Sequence, residues 1–292
     1  MQESAGSPPA KIPATNAGAT HTAREIKFGH VVNLYPVEGR LPVVQQLTAS
    51  SMVRAAAGSP GVSLHTVLDE RDSHLQVEGF RQALPFLGRT VGDVKNFKVR
   101  KPFPLLFDIL DAGARSVPAD AYLIFTNSDI CVTPYFYTAL AGILGAGFDC
   151  LIVNRRTIGS LEQYAGFTEL AYLDSGKSHP GFDCFVFPAS WMPGFTTSQA
   201  CVGAGFVMRS LLFNLVAKCS RMLILRDAHL TYHFGDDRPW TDASFKEYLD
   251  HNTGQAKAVL DALTTDPFKK KRLAAFCLAH GEIYPDGRPI RL

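Results

Sequence analysis

No stretch of the sequence stays apolar for the roughly 18 residues that a membrane-spanning helix requires, so no transmembrane segment is expected. The N-terminal residues also lack the basic region followed by an apolar stretch that marks a secretory signal. The expected location is therefore the cytoplasm, and peripheral membrane contact, which needs no such run, stays open. None of the six cysteines, at 131, 150, 184, 201, 219 and 277, forms a Cys-x-x-Cys pair, and Cys150 stands inside the apolar run 150–153. That disfavours both a disulfide framework and a structural zinc site, and predicts buried, reduced thiols. Charge of one sign is scarce as well: 29 Lys and Arg against 27 Asp and Glu leave a net +2. No basic stripe suggests a nucleic-acid partner, and the densest basic run, 269–272, reads as a solvated helix face.

What is present is ordinary globular material, 46% hydrophobic and 19% charged, long enough to bury a core without staples. Residues 1–24 are rich in Ser, Ala, Gly, Pro and Thr and read as a disordered leader. A β-rich run, 26–34, precedes a helical pattern over 42–57 with Pro at an early helical position. Gly58-Ser59-Pro60-Gly61 ends that helix, and 62–68 reads as a second strand. Strand, helix, strand with short connections is the unit of a parallel sheet covered by helices. Further on, 121–126 and 150–154 are continuous apolar runs, as expected of strands buried on both faces. Helices are expected over 104–112, 134–144 and 210–218, strands over 182–187, 222–225 and 229–234. A helix from Asp242 to about 263 and a last one capped by Asp266-Pro267 and stopped near Gly281 complete the chain.

The feature that points to chemistry is the end of the run 122–130, Tyr-Leu-Ile-Phe-Thr-Asn-Ser-Asp-Ile. In an open α/β sheet, ligands lie outside the carboxyl ends of the strands. A strand ending in Asn127-Ser128-Asp129 therefore presents an amide oxygen and a carboxylate where a ligand would sit. Hard divalent cations are often held by one or two carboxylates together with substrate phosphates. The plain alternative is a turn whose Ser or Asp caps the next helix.

The run Leu-Ile-Phe-Thr-Asn-Ser-Asp-Ile-Cys-Val-Thr-Pro-Tyr-Phe resembles the Asp-x-Asp region of GT-A glycosyltransferases, with Asn127 in place of the first Asp. Motif order over about residues 26–240 carries the resemblance, and it implies an α/β fold with a mixed, mostly parallel central sheet flanked by helices. It also implies a catalytic domain over 25–250, divided into a nucleotide-binding half (25–130) and an acceptor half (131–250), with 251–292 as a C-terminal helical extension. Asp129 would meet a diphosphate or a Mn²⁺ or Mg²⁺ ion, and Asn127 and Ser128 would face the donor's ribose or sugar. Asn33 would hold the nucleotide from the first strand's end, and Asp69 would read base or ribose. Asn33 as a loop former and Asp69 as a turn residue are the local alternatives. His233, in Leu-Thr-Tyr-His-Phe-Gly-Asp-Asp-Arg-Pro-Trp, would complete the metal shell; a satisfied core histidine is the alternative.

On the acceptor side, an inverting transferase needs a base near the acceptor hydroxyl, and a carboxylate suits that task. Asp183, with His179 behind it, is the candidate, a turn cap after Gly181 the alternative. Gly203 and Gly205 let backbone approach a sugar closely. Basic residues for a diphosphate are available at Arg89, Lys101, Arg155 and Arg156. The implied partners are a UDP-, GDP- or dTDP-linked sugar donor and a glycan, lipid-linked or small-molecule acceptor. A sugar-phosphate nucleotidyltransferase is the alternative enzyme, although the segment after the first strand holds a single Gly instead of a Gly-rich signature. A catalytically inactive carbohydrate- or nucleotide-sugar-binding relative is the alternative from another class.

Overall fold

The computed structural model describes residues 26–236 and 241–292; the expected leader at 1–24 and Asp237, Arg238 and Trp240 of the late histidine segment lie outside them. Strands β1 (Phe28–Val32), β2 (Val62–Thr66), β3 (Arg81–Gln82), β4 (Tyr122–Thr126), β6 (Cys150–Val153), β9 (Cys184–Pro188) and β10 (Met222–Leu225) form one sheet. Its order is β10-β6-β9-β4-β1-β2-β3. All neighbours pair in parallel except β9, which runs antiparallel to both β4 and β6. The expected α/β class with a mixed, mostly parallel sheet is what the chain forms. A second, small sheet joins β5 (Cys131–Val132), β11 (Thr231–Phe234), β7 (Arg156–Ile158) and β8 (Lys177–Ser178).

Side-chain alternation along the strands divides the core into two layers. Phe28, Val32, Leu64, Ile124 and Leu151 meet α1 (Val43–Ala57) and α3 (Phe136–Gly145) through Met52, Phe136 and Leu140. On the other face Val31, Leu123, Phe125, Ile152 and Phe185 meet α2 (Leu106–Ser116) and α4 (Arg209–Lys218), with α5 (Lys246–Leu263) and α6 (Pro267–His280) behind α4. Each large apolar side chain so buried contributes about 1.5–3 kcal/mol. Two glycines set how closely α2 approaches the sheet. A Cβ on Gly29 would stand 2.1 Å from Val117 Cγ1, and one on Gly113 would stand 2.7 Å from Val31 Cγ2. Small residues facing branched ones let α2 lie flat on β1, which carries the helix N-terminus to the carboxyl edge of the strands.

The expected boundary at 250/251 falls inside α5, whose buried residues Tyr248, His251, Asn252 and Ala256 lie on both sides of it. Val259, Leu260, Leu273 and Cys277 of the last two helices belong to the same core as α2 and α4. The helix ends follow their local chemistry. Asp266 accepts from the amides of Phe268 and Lys269, and Gly281 closes α6 at φ 61°, as side-chain caps and left-handed glycines do. All six cysteines are free and buried; burial raises the Cys131 thiol to about 11, so it carries no thiolate at neutral pH.

His30, wholly buried on β1, contacts the Tyr137 hydroxyl at 2.8 Å and Thr126 Oγ1 at 2.9 Å. Burial, reinforced by His65, lowers its pKa to about 3. Burial, reinforced by Arg81, lowers that of His65 to about 4. Both stay neutral in the fold while the unfolded chain takes up protons near pH 6.5. Their contribution is therefore fully present above that pH and is lost as pH falls through the interval towards the folded values. Urea unfolding at pH 7 and pH 5 should show a loss of about 2 kcal/mol per histidine. His30→Gln should abolish its share of the slope; an equal slope in that variant would refute the burial argument.

Candidate functional site at the carboxyl edge of the sheet

Sheet register builds a polar row at one level. Thr66, Val32, Thr126, Cys184 and Val153 are aligned across β2, β1, β4, β9 and β6. One residue further out stand Val67, Asn33, Asn127, Asp183 and Asn154. The strand interiors are apolar because both faces are covered, and polarity begins where the strands leave that cover. Thr126, the last residue of β4, is anchored by His30, so the turn that follows starts from a fixed point.

Asn127-Ser128-Asp129 closes a turn in which the Ile130 amide donates to the Asn127 carbonyl at 3.3 Å. The chain then enters β5, and α3 begins only at Phe136 with no side-chain cap. The helix-cap alternative for Asp129 is thereby set aside. β5 pairs with β11 through Cys131 and Tyr232, and this pairing delivers His233 to Asp129, Nε2 to Oδ2 at 3.2 Å. His233 Nδ1 lies 2.9 Å from the Gly235 carbonyl. A carbonyl only accepts, so Nδ1 carries the hydrogen. In a neutral ring Nε2 would then aim a lone pair at a carboxylate oxygen, an arrangement that calls for a cation between them, a proton or a metal ion. Burial tends to raise the Asp129 pKa, but the His233 hydrogen bond and charge, with Arg155 adding to them, hold it below the usual aspartate value. Its side chain is 38% exposed, yet Oδ1, like Asn127 Oδ1, is buried and has no protein partner.

A divalent cation fits this donor set. Asp129 and His233 supply oxygen and imidazole donors, and no group of three or more His, Cys, Asp or Glu side chains among the described residues could hold a metal alone. The remaining ligands would have to come from a bound anion and water, the arrangement typical of Mg²⁺ at phosphate sites.

Beside it lies a buried ion pair. Arg155 Nη1 donates to Asp183 Oδ1 at 3.2 Å, with side-chain exposures of 4% and 7%. Arg155 Nε and Nη2 are buried without a protein partner. A guanidinium with unused buried donors is costly by itself, and is well disposed to take an anionic oxygen. Asp183 is thus occupied by Arg155 and does not cap a turn. His179 is near: a Cβ on Gly181 would stand 2.7 Å from His179 Nε2 and 3.8 Å from Asp183 Oδ2. Asn154 donates to the His179 carbonyl at 3.1 Å while its Oδ1 is buried with no partner.

The fold therefore gathers Asn127, Asp129, Arg155, His179, Asp183 and His233. Other expected residues are engaged elsewhere. Asn33 donates to the Val67 carbonyl at 2.8 Å, tying β1 to β2. Asp69 accepts from the Arg71 amide and pairs with its guanidinium at 2.7 Å, the turn role that was its alternative. The Lys101 ammonium rests 4.3 Å from the Phe245 ring centroid. Arg89 pairs with Asp108, and Arg156 with Asp227. Gly203, at φ 99°, lies under Phe103, and the Gly205 carbonyl accepts from Asn252; Ser128 is half-buried in its turn. Sequence reasoning passed over Asn154, although it ends a buried strand just as Asn127 does.

No protein-family model matches the sequence, and no curated protein matches it. Among solved structures the chain is similar to Staphylococcus aureus TarS 1-349 in complex with UDP-GlcNAc. The identity is 11%, the alignment covers 79% of this chain and 66% of that one, and the TM-score is 0.42. It is also similar to the galactosyltransferase LgtC in complex with donor and acceptor sugar analogues, at 9% identity, 78% and 96% coverage and a TM-score of 0.39. A third likeness is to Rv0371c of Mycobacterium tuberculosis H37Rv in complex with manganese, at 14% identity, 77% and 98% coverage and a TM-score of 0.38. The chain spans just under two thirds of TarS 1-349 and 44% of a longer TarS structure. At these identities the likeness concerns the fold alone.

Proposed function

We propose that this chain is a GT-A-type glycosyltransferase that moves a sugar from a nucleoside-diphosphate donor to an acceptor hydroxyl. The observation that supports this reading is the unfilled valence at the carboxyl edge of the sheet. The Asp129–His233 contact calls for a cation, and two donors of a buried guanidinium lack partners beside it. Together they suit an oxygen-rich dianion such as a diphosphate. In this reading Asp129 and His233 hold Mn²⁺ or Mg²⁺, which when bound would neutralise charge on the leaving nucleoside diphosphate. Arg155 grips phosphate oxygens, and Asn127 meets a ribose or sugar hydroxyl. Asp183, committed to Arg155, orients that guanidinium, and the half-buried His179 beside it is the second candidate base.

The nucleotidyltransferase alternative gains no support from the segment after β1. There Val37 and Arg40 form a bridge around a tight turn, with Glu38 and Gly39 at φ 50° and 77°, where that class carries an extended glycine-rich loop. The binding-module alternative rests on Asn127 and has its own signature, stabilisation by nucleotide without turnover. Incubation with UDP-, GDP- and dTDP-sugars and Mn²⁺ or Mg²⁺, read as nucleotide release, tests the proposal. Release from at least one donor, enhanced by the metal, is expected. Neither release nor nucleotide-induced stabilisation with any donor would overturn it.

A further inference from the structure

A second polar cavity lies at the β3 margin of the main sheet, with β1 between it and β4. It encloses about 310 Å³, lined by His65 of β2, Arg81 of β3, and Arg115 and Ser116 at the end of α2. Small-molecule sites usually measure about 300–1,000 Å³, so the space suits a compact ligand. None of these residues takes part in the site at Asp129 and Arg155.

Three polar groups of the cavity are left unfilled. Arg81 is exposed and has no acceptor among the described residues. Arg115 gives Nε to Asp111 at 2.8 Å, and its two terminal nitrogens have no acceptor among the described residues. The third group is the imidazole of His65, which is 2% exposed. Ser63 Oγ donates to the Phe28 carbonyl at 3.3 Å and therefore accepts from His65 Nε2 at 2.9 Å. The neutral ring then carries a lone pair on Nδ1, which is buried with no protein partner. Arg81, opposite His65 in the strand register, does not fill it.

We propose that this cavity binds a phosphate group, with the Arg81 and Arg115 guanidiniums on its anionic oxygens and His65 Nδ1 on its hydroxyl. Guanidinium forks match phosphate oxygens. A buried lone pair needs a donor, and a singly protonated phosphate brings one where a carboxylate or sulfate brings none. One proton is shared between the phosphate oxygen and Nδ1, so the complex is that of a monoanion with a neutral ring or of a dianion with an imidazolium. His65 is neutral near pH 7 before the ligand arrives. Around it, His30 of β1 also stays neutral, while Arg81 of β3 and Arg115 and Asp111 of α2 stay ionised. The second ionisation of the phosphate, at about pH 6 in a phosphomonoester, therefore sets the pH dependence. As the monoanion disappears, affinity for a phosphomonoester should fall about fiftyfold between pH 6 and pH 8. The inference stands independently of the glycosyltransferase reading.

Calorimetric titration of the full chain with inorganic phosphate, glycerol phosphate and sulfate at pH 6 and pH 8 tests it. Both phosphates should bind at pH 6 with a Kd below about 1 mM and lose most of that affinity at pH 8. Sulfate should bind at least about tenfold more weakly at pH 6. The tighter of the two phosphates identifies the source, free phosphate or a phosphomonoester. Arg81→Gln should weaken binding by about tenfold or more, which places it in this cavity because Arg155 is untouched. That side chain is exposed, and an unchanged melting temperature without phosphate would show that the fold is intact. His65→Gln should flatten the pH dependence of the binding that remains. Absence of phosphate binding at pH 6, or sulfate binding as tightly as phosphate, would overturn the proposal. So would wild-type affinity in Arg81→Gln, or an undiminished pH dependence in His65→Gln.

Discussion

Asp129→Ala should lower metal-dependent nucleotide release by about 10²–10³-fold, the usual cost of removing one preorganised electrostatic contact from a reacting centre. The fold should survive, because Asp129 is part-exposed and its contact with His233 is partly screened by solvent. The stability change should stay within about 1 kcal/mol. Loss of the carboxylate leaves the His233 Nε2 lone pair facing the cleft, which solvent can satisfy. A second readout separates the metal from the chemistry. Nucleoside diphosphate with Mn²⁺ should raise the melting temperature of the wild type by mass action, and the variant should respond to nucleotide but gain little from the metal. Release at the wild-type rate in Asp129→Ala would remove this residue from the site.

The second large effect belongs to the buried pair. Arg155→Met leaves the Asp183 carboxylate enclosed without its cation and should cost about 3–5 kcal/mol in urea unfolding, a large share of a stability that is about 5–15 kcal/mol for most domains. The double variant Arg155→Met with Asp183→Leu removes both charges. It should recover most of that loss, since apolar replacements of buried pairs are frequently neutral or better. Nucleoside-diphosphate affinity should not recover with it, because Nε and Nη2 of Arg155 are gone. Stability and binding are thereby separated. A double variant that binds nucleotide as the wild type does would show that Arg155 serves the fold alone.

Local signals carried far along this chain. The apolar run at 121–126 became β4, and 222–225 matches β10 residue for residue. Asp266 and Gly281 bound α6 as their side chains dictate. Asn127-Ser128-Asp129 was legible because polarity begins abruptly after a buried strand. The direction of β9 was not legible. Its apolar run resembles that of β4, and burial on both faces says nothing about which way a strand points. The turn ahead of the expected helix over 210–218 was not legible either: the chain turns at Gly203 and Phe206 with φ of 99° and 67°. Phe103, about one hundred residues earlier in sequence, packs over Gly203 and leaves no room for a side chain there.

The sequence by itself determined the long helices and the buried strands of the main sheet, the two ends of α6 and the level at which polar residues leave the sheet, since these follow from side-chain periodicity and hydrogen bonds a few residues long; the short strands β3, β5, β7 and β8 carried no such signal. Only the tertiary structure decided the partners. His233 reaches Asp129 because β5 and β11 pair, and Asp183 finds Arg155 because β9 lies beside β6. Asn33, directly after β1, and Asp69, three residues past the end of β2, use their polar groups on neighbouring backbone and on Arg71. A side chain's role is set by what its burial leaves unpaired, and that is a property of contacts between distant segments, invisible until the sheet assembles them.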